Sequence, residues 1–339
     1  MGECLISRRG GEAYKLPILN PSYPQDITAK ASATGTVSFS VAISEDGKPA
    51  EYTYQWYVNG SAVSGATGKS YVRNVSAVGV FTVYCTVTNK AGSVSSREAV
   101  LNVVTPIPVA SNIYNGSCEL KKENEYDWCL YCYGSGNFTY PESANLEVCI
   151  VAGGAGGSYH NTPGMGNGAN GGGGGTVVQS QAVTVNAGQP YSVVIGGGGP
   201  VGHGVTTTGG SSSAFGFSAA GGVQGAGGAG GANGSNGGKG ADGKYAFNSS
   251  YYGYYGGFGG GGSGRGASPG EGGAGGGGRG ATAADYSGAC THAVAGTTNK
   301  GGGGGGMGGG YDHGEHDNTF YGGNGAVGGS GIVLIRNAR

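Results

Sequence analysis

The chain has 339 residues, which is enough for two or three domains. Its charge is sparse and balanced, with 18 Lys and Arg against 19 Asp and Glu, so no basic surface is expected that would attract nucleic acid. No apolar stretch is long enough to cross a bilayer, and residues 1–11 lack the long apolar region of a signal peptide. We therefore expect no nucleic-acid partner, no membrane insertion and no secretion by the usual route.

Residues 1–22 are expected to form an N-terminal arm, because arginine, glycine and proline there leave little to bury. Two interpretations remain open for it, a free tail and a docking segment that becomes ordered on a larger assembly. A short linker is predicted at residues 106–109, where Pro106 and Pro108 stiffen the chain.

Residues 23–105 alternate apolar and polar side chains, which is typical of half-buried strands. The clearest strands are predicted at residues 36–43, 52–58 and 79–89, and residues 99–104 close the domain. These segments predict one small β-sandwich.

Trp56 lies just before the turn residues Asn59 and Gly60, and the strand that follows carries Phe81 and Cys85. This arrangement resembles the immunoglobulin-like domains, in which a buried Trp packs beside a disulfide between the sheets. The resemblance implies that Trp56 is that Trp. Apolar residues occupy the opposing strand, so we expect a disulfide-free version in which Cys85 is a core thiol.

Glycine accounts for 82 residues, and every third residue from Gly222 to Gly243 is glycine. The same spacing recurs between Gly322 and Gly331. A helix with three residues per turn then has one edge without side chains, and the prolines of collagen are missing. We predict polyglycine-II helices that pack backbone to backbone. The alternative is a disordered glycine linker, which the strand-like segments between the tracts disfavour.

Residues 110–339 are predicted to form a second domain in which strands bracket the glycine helices. The strand-like segments are residues 127–133, 137–139, 146–151, 176–185, 190–195, 211–219 and 331–336. The expected fold class is all-β, with an immunoglobulin-like β-sandwich followed by a β framework that encloses a polyglycine-II helix bundle.

Four segments of this domain carry a second resemblance, residues 128–139, 146–154, 183–196 and 328–336. They resemble the glycine-rich domains of tailed-phage and prophage structural proteins, and glycine-rich adhesins at tail-fibre tips are the closest functional analogy. The resemblance implies a virion protein assembled in the host cytoplasm, with its arm docked on other virion proteins.

The same resemblance implies that loops between the glycine helices bind a bacterial surface glycan or protein. These loops are residues 158–167, 244–255, 281–300 and 311–321. Two alternatives are a capsid or tube decoration protein and a bacterial surface adhesin, and the missing secretion signal disfavours the second. The position on the particle and a homo-oligomeric state are left open.

Residues 245–255 are the densest aromatic stretch, and Tyr mixed with Ser, Gly and Asn is typical of binding loops. The alternative is that these rings pack on the glycine bundle. The receptor-binding candidates in this stretch are Tyr245, Phe247, Tyr251, Tyr252, Tyr254 and Tyr255.

Residues 311–317 combine histidines and carboxylates with one tyrosine. Tyr311, His313 and His316 are further receptor-binding candidates. A divalent ion could be held by Asp312, His313, Glu315, His316 and Asp317. A solvated polar loop is favoured over a metal site, because a usable site needs a fixed geometry.

Cys129 and Cys132 have the spacing of zinc ligands, but residues three apart in a strand point to opposite faces. The seven cysteines are odd in number and unevenly spread, which argues against a disulfide framework. We expect reduced thiols without metal, in a chain made in a reducing cytosol.

No catalytic constellation is found. The P-loop motif fails because Lys239 and Lys244 are followed by Gly240 and Tyr245 rather than a hydroxyl residue. The five histidines and the Ser-rich stretches do not form a nucleophile motif with a placed base. The sequence therefore predicts a protein that is not an enzyme and needs no cofactor.

Overall fold

The chain divides into two compact units, Met1–Ile107 and Pro108–Arg339. Nearly all of the regular structure is β, so the prediction of an all-β chain is confirmed. Among the described residues, no helix is both long and apolar enough to span a membrane. The computed structural model describes residues 14–104, 106–124, 127–159, 167–203, 206–230, 232, 235–264, 267–282, 290–309 and 324–337.

The first unit is built from short strands in three sheets. The strands are β1 (Ile18–Leu19), β2 (Ile27–Lys30), β3 (Thr36–Ser40), β4 (Ile43–Glu45), β5 (Thr53–Val58), β6 (Ser61–Ala62), β7 (Ser70–Asn74), β8 (Gly79–Asn89), β9 (Gly92–Ser95) and β10 (Ala99–Val104). The largest sheet has the order β2-β10-β8-β5-β6, and β9 pairs with β8. The two smaller sheets are β3-β7 and β1-β4. Only β2 and β10 pair in parallel among these described strands.

Side chains from the largest sheet and from β3-β7 share one core. Phe39 of β3 is buried with Trp56, Cys85 and Leu101 of the largest sheet. Trp56 lies opposite Cys85 in the β5-β8 register, and its indole Nε1 donates to the carbonyl of Gly68 at 2.9 Å. Alternation along the strands therefore places the expected Trp and thiol in the core, where burial raises the pKa of Cys85 to about 11.

The segment 36–43, predicted as one strand, forms β3 and β4 with a break at Val41 and Ala42. The amide of Val41 donates to the carbonyl of Lys69 at 3.2 Å, and the carbonyl of Ala42 accepts from Asn20 at 2.8 Å. Because β3 pairs with β7 and β4 pairs with β1, the chain changes partner strand at this point.

Residues 14–22 belong to the first unit, although the sequence predicts an arm through residue 22. β1 pairs antiparallel with β4, and the backbones of Lys15 and Lys48 form an isolated antiparallel β-bridge. The side-chain amide of Asn89 also donates to the carbonyl of Lys15 at 2.8 Å. The rest of the predicted arm, residues 1–13, lies outside the described residues.

The second unit has two main sheets. Its elements are α1 (Ala110–Ile113), β11 (Cys118–Lys122), β12 (Trp128–Cys132), β13 (Gly136–Thr139), β14 (Ala144–Val151), β15 (Ser158–Tyr159), β16 (Val177–Val185), β17 (Pro190–Val194), β18 (Gly202–His203), β19 (Ser212–Ala214), β20 (Phe217–Ala219), β21 (Lys244–Tyr245), 3₁₀-helices at Ala246–Asn248 and Ser250–Tyr252, β22 (Tyr254–Tyr255) and β23 (Ile332–Asn337). One sheet has the order β11-β12-β23-β14-β16, and the other has the order β13-β17-β19-β20. The pairs β15-β18 and β21-β22 stand apart.

Strand β23 lies at the centre of the five-stranded sheet, between β12 and β14. Its residues Ile332 to Ile335 are all buried, which explains their uninterrupted apolar run. The chain leaves this sheet after β16 and returns to its centre only at β23. Along the chain, most of the glycine-rich sequence therefore connects β16 to β23, two strands of one sheet.

The glycine-rich segments are extended and exchange backbone hydrogen bonds with one another. Along residues 257–264, amides three residues apart donate to the same neighbouring segment. The amide-to-carbonyl pairs are Gly257 to Gly275, Gly260 to Gly278 and Ser263 to Ala281; Phe258 to Ala241, Gly261 to Gly238 and Gly264 to Ser235; and Gly259 to Gly172 and Gly262 to Ala169. Successive amides therefore donate to different neighbours, and the pattern repeats every three residues.

Close approach of these backbones leaves no space for side chains. A Cβ added to Gly259 would overlap the carbonyl oxygen of Gly304. At Gly237, Gly240 and Gly243, an added Cβ would overlap carbonyl oxygens of residues 261, 258 and 255, which are also three apart. The three-residue glycine spacing thus matches the spacing of the backbone that it contacts.

The run from Gly222 to Gly243 is not one uninterrupted segment. Gly225 has a φ of 76°, and the amide of Ala226 bonds back to the carbonyl of Val223. The chain turns there, so the glycine period continues through a bend that the sequence does not reveal. Gly231 and Gly234 lie outside the described residues.

Replacing Gly259 by Ala should destabilise the second unit by about 3 kcal/mol or more, because the added methyl group forces two backbones apart. Gly197→Ala is the matched control, since nothing lies within 4 Å of the Cβ position there. It should change stability by less than about 1 kcal/mol. Calorimetric unfolding of the two variants measures this difference, and equal midpoints would contradict the close packing.

Candidate functional site

The aromatic segment 244–255 folds as a hairpin against the five-stranded sheet. β21 and β22 pair antiparallel, and the side chain of Gln179 on β16 donates to the carbonyl of Tyr245 at 3.0 Å. Phe247 has a φ of 49°, a conformation that non-glycine residues hold only where their surroundings enforce it. The two short 3₁₀-helices between the strands turn several rings inward.

Three of the aromatic candidates are core residues. Phe247, Tyr252 and Tyr255 are buried in a cluster with Cys129, Cys149, Val151, Val177, Ala246, Ile332 and Leu334. The outward-facing interpretation therefore does not hold for these three rings, and the packing alternative describes them correctly. They cover an apolar face of the sheet that would otherwise meet water.

The other described candidates are more accessible. Tyr251 is 71% exposed and meets Tyr252 edge to face at 5.1 Å between ring centroids. Tyr245 and Tyr254 are half-buried and stack on each other at 4.0 Å. Tyr251 is therefore the candidate with the largest free surface.

The remaining candidates lie outside the described residues. These are Tyr311, His313 and His316, together with the proposed metal ligands Asp312, Glu315 and Asp317. Of the loops predicted to face outward, residues 160–166, 283–289 and 311–321 also lie outside the described residues.

Arg336 of β23 links the hairpin of residues 244–255 to the five-stranded sheet. Its guanidinium donates to Glu147 at 2.5 and 2.9 Å and to the hydroxyl of Tyr252 at 2.9 Å. The hydroxyl of Tyr252 in turn donates to Glu123. The guanidinium also lies 4.3 Å from the centroid of the Phe247 ring, a cation–π contact. This network joins residues that are 189 positions apart in sequence.

A groove of about 420 Å³ opens beside the fastened hairpin. Its wall is aromatic, it carries two lysines, and its rim offers hydroxyl and amide groups. The lining residues are Lys121, Tyr131, Tyr133, Tyr251, Tyr252, Tyr255, Thr297, Thr298, Asn299, Lys300 and Ile332. Four separate parts of the chain meet here: β11 with β12 and the residue after it, the hairpin, residues 297–300, and the start of β23.

Lys300 is the half-buried cation of this groove. Its ammonium lies 4.5 Å from the centroid of the Tyr255 ring and donates to the carbonyl of Tyr254 at 3.4 Å. Desolvation lowers the pKa of Lys300, and the nearby Lys121 lowers it further. Among the described residues, no carboxylate forms an ion pair with Lys300.

Lys121 is the exposed cation. Its ammonium lies 4.5 Å from the centroid of the Tyr131 ring and 3.7 Å from the carboxylate of Glu119. Glu119 also accepts a hydrogen bond from the hydroxyl of Tyr133 at 2.7 Å. Desolvation, with a smaller effect of that bond to Glu119, raises the pKa of Tyr133 to about 12, so the phenol stays neutral at physiological pH.

The sequence did not indicate Lys121, Tyr131, Tyr133 or Ile332 as site residues, and it covered residues 297–300 only within the predicted loop 281–300. Tyr131 lies on β12 and Tyr133 directly follows that strand, and side chains two residues apart in an extended segment share a face. Lys300 belongs to that predicted loop, but only the folded chain places it beside the hairpin.

The cysteines do not form a metal centre in the described part of the chain. Cys129 packs with Cys149 in the core cluster, whereas Cys132 contacts the hydroxyl of Tyr114, as expected for strand residues three apart. Within the described ranges, no three His, Cys, Asp or Glu side chains lie together in a metal-binding arrangement. Residues 311–317 lie outside these ranges.

No protein-family model matches the chain, and no curated protein matches it. Among solved structures, a quinoprotein alcohol dehydrogenase-like protein from Bacteroides thetaiotaomicron aligns at 18% identity with a TM-score of 0.22. The alignment covers 37% of this chain and 24% of the other, so the chain spans about a quarter of that protein's length. A likeness this weak does not establish a shared fold or activity.

Tyr252→Ser should destabilise the second unit by about 3 kcal/mol, because it removes a buried ring and one partner of Arg336. Tyr251→Ser is the matched control, since its ring is exposed, and should change stability by less than about 0.5 kcal/mol. Both variants can be measured by denaturant unfolding. A similar loss in both would mean that the exposed ring is also structural.

Iodoacetamide should distinguish the described cysteines in the native chain at pH 8, because the thiolate is the reactive form. Burial raises the pKa of Cys149 to about 12 and also raises those of Cys129 and Cys132. Mass spectrometry should find label first on Cys118 and Cys290, which are half-buried, and on the core thiols only after unfolding. Early labelling of Cys129 or Cys149 would contradict the buried cluster.

Proposed function

We propose that this protein is a structural component of a tailed-phage or prophage particle, a tail-fibre or tail-tip adhesin that binds the bacterial surface. The observation that carries the proposal is the groove described above, held by residues 244–255 and 297–300. Both segments belong to loops that the resemblance to phage glycine-rich domains implies for adhesion. The role is one of binding and support rather than catalysis.

We further propose that the glycine-rich segments are polyglycine-II helices. A helix with three residues per turn directs successive amides about 120° apart, toward three neighbours. The donors along residues 257–264 change neighbour at each residue and repeat every third residue, which supports this assignment. The absence of space for a Cβ at Gly259 and Gly237 supports it as well.

The first unit is proposed to be an immunoglobulin-like sandwich that spaces or reinforces the particle. Support comes from the single core shared by two sheets and from the buried Trp56 opposite Cys85. The N-terminal arm would dock on other virion proteins. Many copies on one particle would make weak contacts with a cell avid.

A capsid or tube decoration protein is the second candidate. The burial of Phe247, Tyr252 and Tyr255 favours it, since these rings stabilise the fold and leave fewer free for a receptor. A bacterial surface adhesin is the third candidate, and it shares the binding role without the particle.

Gold-labelled antibodies against residues 14–104 should mark the tail tips of particles purified from cells that produce the chain. Electron microscopy measures the position of the label, and the same particles treated with non-immune antibody are the control. Label over the shell would favour the decoration protein. Label on cells but not on particles would reject the virion role.

A further inference from the structure

We propose that the groove beside Tyr251 and Lys300 is a binding site for a saccharide that carries an anionic group. The sugar ring would lie on the tyrosine wall, and the anion would pair with Lys300 and Lys121. This inference adds a ligand class to the proposed function. It rests on that function only in taking the ligand to come from a bacterial surface.

The tyrosine wall has the properties that sugar stacking requires. The ring of Tyr251 is 71% exposed yet held edge to face by Tyr252, so little entropy is lost when a ligand covers it. Tyr252 is itself fixed by Arg336 and Glu123. The volume of about 420 Å³ is in the range of small-molecule sites.

The charges of the groove favour an anionic ligand over a neutral one. Two ammonium groups line it, and the attraction of an anion would offset both their mutual repulsion and the cost of desolvating Lys300. The carboxylates two residues before and after Lys121 are already engaged. Glu119 is bonded to Lys121 and Tyr133, and Glu123 accepts from Tyr252.

The rim adds groups that suit sugar hydroxyls. Thr297 and Thr298 are exposed, and their hydroxyls can donate and accept. Asn299 is held at the rim by the hydroxyl of Ser330, which donates to its side-chain oxygen at 3.1 Å. Aromatic faces with basic groups can also bind single-stranded nucleic acid. The balanced charge of the whole chain favours the saccharide, and the test separates the two.

Titration calorimetry of the full chain with an oligomer of a uronic acid measures the interaction directly. A sulfated oligosaccharide is the second probe, because a carboxylate and a sulfate are two sources of the same charge. The fully methyl-esterified uronic oligomer is the neutral control, and it should bind at least about tenfold more weakly than the free acid.

Variants assign the effect to the groove. Lys300→Gln and Lys121→Gln should each lower affinity for the acid about tenfold while leaving the ester unchanged. Lys244→Gln, at an exposed lysine on β21, is the matched control and should bind like the original chain. Tyr251→Ser should weaken binding of the acid and of the ester alike, because it removes stacking surface. Circular dichroism checks folding, and Lys121→Gln changes an exposed side chain.

The proposal would be overturned if neither anionic probe bound. It would also be overturned if the two lysine variants bound the uronic acid oligomer as tightly as the original chain. A single-stranded oligonucleotide that competes as well as the saccharide would replace it with a nucleic-acid site. Antibody label at the tail tips without saccharide binding would contradict this inference and leave the adhesin proposal standing. Saccharide binding without antibody label on particles would support the groove as a saccharide site and contradict the virion role.

Discussion

Hydrogen bonds between glycine backbones are the interaction on which the second unit depends. Its glycine-rich segments have few side chains to bury, so apolar burial contributes little there. Glycine also loses more conformational freedom on folding than other residues. The segments remain ordered because amides such as those of Gly259 and Gly260 find carbonyls on neighbouring segments, which satisfies the buried backbone. A side chain at these contacts would separate the backbones and leave those groups unpaired.

This constraint also explains where the apolar side chains are. Glycine backbones offer no apolar side chains, so the buried rings and aliphatic residues lie on the sheets, as Phe138 does on the four-stranded sheet and Leu334 on the five-stranded one. The hairpin 244–255 covers that sheet with Phe247, Tyr252 and Tyr255, and Arg336 holds it in place. The groove forms at the edge of this cover. Its support is therefore a packed sheet and a network of charged hydrogen bonds.

Much of the strand pattern was readable because alternation and apolar runs report burial directly. The run that ends the chain predicted a buried strand, and β23 lies at the centre of its sheet. The break between β3 and β4 was not readable, since Val41 and Ala42 continue the alternation while the chain changes partner. The turn at Gly225 was hidden for a similar reason, because glycine accepts both signs of φ and keeps its spacing through the bend.

By itself, the sequence determined that the chain is β-rich and that its glycines recur every three residues, because local period and composition carry that information. Which rings are buried was decided by the tertiary structure, since Tyr251 and Tyr252 are adjacent and chemically identical but only one contacts Arg336. The groove was decided there too. Lys121, Tyr251 and Lys300 come together only because the chain crosses its glycine segments and returns to the sheet, and no local pattern records that path.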